Sequence, residues 1–127
     1  MVAGITAASG IAAELGIPLT HRGIANSVRF LTGHSRKGGT DPLFVSENAA
    51  DPDSTLVVYM GLSTFPFLSQ KLMHHGLSPQ TPAVAIERGT TLQQRTVRLI
   101  IPPFSQHNCL LSINIFIELL QKWPFSF

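Results

Sequence analysis

The residues of this 127-residue chain whose types could do chemistry are five histidines (His21, His34, His74, His75, His107), one cysteine (Cys109) and the glycine-rich run GHSRKGGT at 33–40. The run approaches the phosphate-binding form G-x-x-x-x-G-K-[ST]. Gly39 stands where the phosphate-reaching lysine is needed, and Asp41-Pro42 follows where a helix should run, so that reading is rejected. Adjacent His74 and His75 cannot easily face one ion, and His107 with Cys109 lacks two further well-spaced ligands, so no metal is expected. No G-x-S-x-G elbow is present, and one cysteine among scattered histidines is weak support for a thiol nucleophile.

What remains are turns that join regular elements: GITAAS at 4–9, GIPLTHR at 16–22, YMGLS at 59–63 and ERGTT at 87–91. In α/β sheets, ligands bind beyond the carboxyl ends of strands, where backbone groups are open and small residues permit close approach. Two of the four turns end strand-like runs. A third, at Thr6-Ala7, opens a helix whose first N–H groups and hydroxyl could hold a polar ligand edge. Taken as chemistry alone, these turns predict a ligand cleft and no particular reaction.

The elements that must position them follow from periodicity. Thr6 can cap a helix with the body AASGIAAEL, with Ile11 and Leu15 on one face and Gly16 then Pro18 ending it. Ser27–Thr32 alternates as a strand, and Thr55–Met60 is a short β-branched run of the kind buried on both faces of a sheet. The stretch from Gly33 to Ser54 between them reads as loop, with a helical turn around Glu47–Ala50. Phe65–His75 carries Leu68 and Leu72 at helical spacing and stops at Gly76. Ala83–Glu87 and Gln94–Ile101 are further strands, and strand, helix, strand at this spacing predicts a crossover unit in an α/β sheet.

Composition bounds the answer. Hydrophobic residues make up 44% and charged residues 13%, which suits one core-forming domain rather than a disordered chain. Nine basic against seven acidic residues give +2, too little to argue a nucleic-acid partner, although Arg22, Arg29, Arg36 and Lys37 follow one another with no acid between them. One cysteine excludes an internal disulfide framework. No membrane partner is expected, because the longest apolar candidate, Cys109–Leu120, is short and contains Asn114 and Glu118.

The ordered set GITAA, GIPLTHR, TGH, YMGL and GTTLQQR, spread over residues 2 to about 98, resembles the carboxyl-terminal half of the uroporphyrinogen-III C-methyltransferases, in the tetrapyrrole methylase superfamily. The resemblance implies an α/β fold, namely the carboxyl-terminal domain of a two-domain protein that holds S-adenosyl-L-methionine between its domains, usually as a homodimer. It implies methyl transfer from the cofactor sulfonium to two pyrrole carbons of uroporphyrinogen III, giving precorrin-2 for sirohaem and cobalamin, with no metal taking part. It further implies a cytoplasmic setting in bacteria or a plastid one in plants.

By motif, the resemblance assigns cofactor contacts to Thr6, Ala7, Met60 and Gly89, with Ala85 as a backbone neighbour. Each has a structural alternative: packing for Ala7 and Ala85, core filling for Met60, a turn for Gly89. Arg22 in T-H-R is assigned to a substrate carboxylate, which a guanidinium can grip with two hydrogen bonds. Its alternative is an ion pair within the chain. His21 is expected to orient that loop.

Departures from the pattern are equally specific. The family's first domain, with its G-x-G-x-G-D-P loop, has no counterpart here, and Ala3 stands where proline is usual. All ten glycines lie at or before Gly89, whereas Leu99–Phe127 has none and carries four of the eight phenylalanines. These features predict a truncated methylase of residues 1–98 with little activity alone, and a divergent apolar tail of residues 99–127, foreign to the fold, with a helix over Asn108–Trp123. The rival expectations are a non-catalytic module that pairs with a full-length subunit, and a related methylase with another substrate.

Overall fold

In a computed structural model, residues 3–33, 50–61, 64–100 and 117–120 are described. Helix α1 spans Ala7–Leu15. Thr6 caps it in an extended conformation, its side chain accepting from the Ser9 N–H, and Gly16 ends it at φ 67°, where a side chain would be strained. Strands β1 (Ser27–Thr32) and β2 (Ser54–Tyr59) lie parallel, from Ser27 opposite Ser54 to Thr32 opposite Tyr59. Helix α2 spans Phe65–His74 with a proline in its first turn, and Gly76 follows at φ 103°. Strands β3 (Pro82–Glu87) and β4 (Arg95–Ile100) form an antiparallel pair.

These elements match the sequence expectations to within a residue or two, with one informative difference. The second strand stops at Tyr59 rather than Met60, because Met60 turns to φ 57° and leaves the extended region.

The sheet order is β1-β2-β5-β3-β4, with β5 formed by Ile117–Leu120. This strand runs antiparallel to both neighbours, placing Leu120 opposite Leu56 and Glu118 opposite Ala85. Strands β2 and β3 are therefore parallel to each other, and α2 is the expected crossover between them, reaching over an inserted strand. The helix expected over Asn108–Trp123 is corrected at its four described residues, which are a strand. A segment with almost no polar face suits a position between two strands, where both rows of backbone groups are paired, better than a surface helix. The boundary expected near Arg98 falls inside β4.

Among the described residues, one helix covers each face of the sheet. Phe65, Leu68 and Leu72 of α2 pack with Leu56, Val58, Ala83 and Ala85, while Ala8 and Ile11 of α1 pack with Val57, Val84 and Ile86. Burying each large side chain contributes roughly 1.5–3 kcal/mol. Residues 34–49, with most of the glycine-rich run and all of the expected turn at Glu47–Ala50 except Ala50, lie outside the described residues, as do His107 and Cys109.

Candidate functional site

The amino end of α1 meets the carboxyl end of β2. The Ala8 N–H donates to the Tyr59 hydroxyl at 3.2 Å, the Ser9 N–H to Thr6 Oγ1 at 3.4 Å, and the Gly10 N–H to the Thr6 carbonyl at 3.0 Å. Among the described residues this leaves the N–H groups of Thr6 and Ala7 without a partner. Both residues are exposed, at the partially positive end of a helix.

Beside them stands Met60, about half exposed and held in the left-handed region. Its backbone is set by Gly33. The Gly33 N–H donates to the Tyr59 carbonyl at 2.6 Å, and a β-carbon on Gly33 would overlap the Met60 carbonyl and the Gly61 backbone. A close crossing of two backbones keeps Met60 where it is.

The third component is the turn after β3. Arg88 (φ 51°) and Thr90 (φ 64°) are left-handed around Gly89, and a β-carbon on Gly89 would overlap the Ile11 side chain. Among the described residues, all three left-handed non-glycine residues thus lie at the carboxyl ends of β2 and β3. Each such conformation costs of order 1–3 kcal/mol and persists only where the surroundings impose it. The turn is tied by the Thr90 N–H donating to Gln94 Oε1 at 2.7 Å and by Thr91 Oγ1 donating to the Arg88 carbonyl at 2.7 Å. At its root, the buried Glu87 carboxylate accepts from Arg95 Nη1 at 3.2 Å and faces Arg88 Nε at 3.7 Å.

Thr6, Ala7, Met60 and Gly89 are therefore brought to one end of the sheet. Ala85 is not part of that group: it is fully buried toward α2, with Val97 and Glu118 opposite it on the flanking strands. Arg22 is also apart. Its turn, closed by paired His21 and Ala25, leads into the start of β1, and Asn26 N–H donates to the Asp53 carbonyl just before β2. That is the far end of α1, roughly 13 Å along a nine-residue helix.

The Arg22 side chain is exposed and has no ion-pair partner among the described residues, while His21 Nδ1 lies 2.9 Å from the Arg22 carbonyl, placed to donate to it. Tyr59, Gly33 and Glu87 lie within the motifs YMGL, TGH and ERGTT, yet sequence reasoning gave them no individual role, because nothing local shows what they meet. Among the described residues no group of three or more His, Cys, Asp or Glu is placed to hold a metal.

Comparison with known proteins identifies the family of the fold. The family model for tetrapyrrole (corrin/porphyrin) methylases matches residues 1–101. The chloroplastic S-adenosyl-L-methionine-dependent uroporphyrinogen III methyltransferase of Arabidopsis thaliana is 65% identical over 98% of this chain and 36% of its own length. A siroheme synthase of Pseudomonas aeruginosa is 55% identical over 75% of this chain and 20% of its own. The uroporphyrin-III C-methyl transferase of Thermus thermophilus, solved with S-adenyl homocysteine, superposes with a TM-score of 0.72 at 29% identity, over 93% of this chain and 48% of that one. The chain thus spans about a third of the plant relative and about half of the solved structure. With four motif positions gathered at one end of an α/β sheet, and a family match over most of its length, this chain belongs to the tetrapyrrole methylases.

Proposed function

We propose that this chain forms part of the cofactor site of an S-adenosyl-L-methionine-dependent uroporphyrinogen III methyltransferase. The observation that carries the reading is the convergence of the unpartnered Thr6 and Ala7 N–H groups, exposed Met60 and the Gly89 turn at one end of the sheet. The residues present fit such a group: two backbone donors suit acceptor atoms of the ligand, the thioether offers a polarisable apolar surface, and glycine permits close approach. When bound, the cofactor supplies an electrophilic methyl group on positive sulfur. The chain's own residues orient it, since alignment of donor and carbon is the main demand of such a transfer.

In this reading the acceptor is uroporphyrinogen III and the product precorrin-2, with Arg22 available to a substrate carboxylate from outside the cofactor cluster and Ala85 supporting it from the core. Residues 1–98 carry the cofactor contacts, and the divergent segment 99–127 completes their sheet by adding the end of β4 and the whole of β5. Ile5, 81% exposed, and fully exposed Leu92 flank the same end. They favour a second reading, pairing with another methylase subunit, which co-purification with the full-length plant relative tests.

Calorimetric titration with S-adenosylhomocysteine, alone and with the amino-terminal part of the plant relative added, tests the first. Weak binding that strengthens on addition is expected. No heat of binding in either arm would refute it.

A further inference from the structure

We propose that Glu87 is a positioning residue, which holds the Arg88–Thr90 turn in the shape that presents Gly89 to the cofactor; the inference rests on the site reading above. Glu87 ends β3 with only 1% of its surface exposed, although it carries a carboxylate. A buried carboxylate is retained at a cost unless cations and hydrogen bonds compensate it. Here the compensation has a geometric result.

Glu87 lies opposite Arg95 in the ladder, and Arg95 Nη1 donates to Oε2 at 3.2 Å, which joins the two strands just where the turn leaves them. Its other oxygen faces Arg88 Nε at 3.7 Å, and Arg88 Nη1 reaches Gln93 Oε1 at 3.4 Å. Arg88 is the first left-handed residue of the turn. Its side chain, drawn back to the carboxylate, favours that backbone conformation over the extended one that would continue β3. Thr90, left-handed in turn, is held by the Gln94 side chain, and between them Gly89 lies against Ile11 in the second turn of α1. One buried charge thus connects the end of β3 to the part of α1 that begins with Thr6 and Ala7.

The test uses Glu87→Gln, which keeps the shape and removes the charge, and Arg95→Gln, which removes the exposed arm and covers the case where the first variant fails to fold. Hydrogen exchange reads the turn without any ligand. The Thr90 amide is expected to exchange about 10-fold faster in either variant, with core amides such as that of Leu68 unchanged. S-adenosylhomocysteine affinity is expected to fall about 10-fold in the same variants. A folded variant with unchanged Thr90 exchange overturns the proposal, and so does faster exchange with full affinity. If the parent chain binds no S-adenosylhomocysteine either alone or with the amino-terminal part of the plant relative added, the site reading fails, while Thr90 exchange still decides whether Glu87 holds the turn.

Discussion

Gly89 lies so close to the side chain of Ile11 that no β-carbon fits between them. Ile11 is itself buried in the packing between α1 and the sheet, so it has little freedom to yield. The Gly89→Ala variant is therefore expected to lose about 1–3 kcal/mol of stability through overpacking, and to bind S-adenosylhomocysteine more weakly as α1 is pushed from the turn. Denaturant melts and calorimetry check both, and unchanged affinity would remove Gly89 from the site.

Thr6 combines two duties that can be separated. Its side chain caps α1 by accepting from Ser9, and its exposed hydroxyl stands beside the open Ala7 N–H. Thr6→Ala should cost about 0.5–2 kcal/mol through the lost cap. Thr6→Ser should recover both stability and ligand affinity. Recovery of stability without affinity would point to the threonine methyl rather than the hydroxyl.

Gly33 and Gly10 make opposite predictions. A β-carbon on Gly33 would meet backbone atoms of Met60 and Gly61, which cannot move without breaking the end of β2. Gly33→Ala is expected to cost at least about 2 kcal/mol and to displace Met60. At Gly10, inside α1, the nearest atom to a new β-carbon is the Thr90 methyl at 3.6 Å, an ordinary contact. Gly10→Ala should stabilise the chain by about 0.5–1 kcal/mol, because the helix no longer fixes a glycine backbone. Thermal melts of the two variants should move in opposite directions.

Ending the chain at Arg98 tests the tail. The cut removes the last two residues of β4 and all of β5, leaving facing edges of β2 and β3 unpaired at the centre of the sheet. Loss of cooperative unfolding by circular dichroism is expected. A transition within a few degrees of the parent would show that β5 is dispensable.

Local chemistry made much of this chain legible. Thr6, Gly16 and the apolar spacing of Ile11 and Leu15 mark α1 at both ends, because capping and periodicity act within a few residues. The β-branched run before Met60 and the stop at Gly76 act in the same way, whereas the positions Thr6, Ala7, Met60 and Gly89 were assigned through the resemblance that the ordered motifs carry.

Tertiary structure alone decided which of those positions lie at the same end of the sheet. Arg22 and Ala85 belong to the same motif set, yet one lies at the opposite end of α1 and the other on the opposite face of the sheet. It also decided that Glu87 is buried, that Gly33 crosses Gly61, and that Ile117–Leu120 enters between β2 and β3. Caps and turns depend on neighbours in sequence, whereas burial, backbone crossings and strand order depend on residues tens of positions apart, whose pairing is settled only when the whole sheet closes its core.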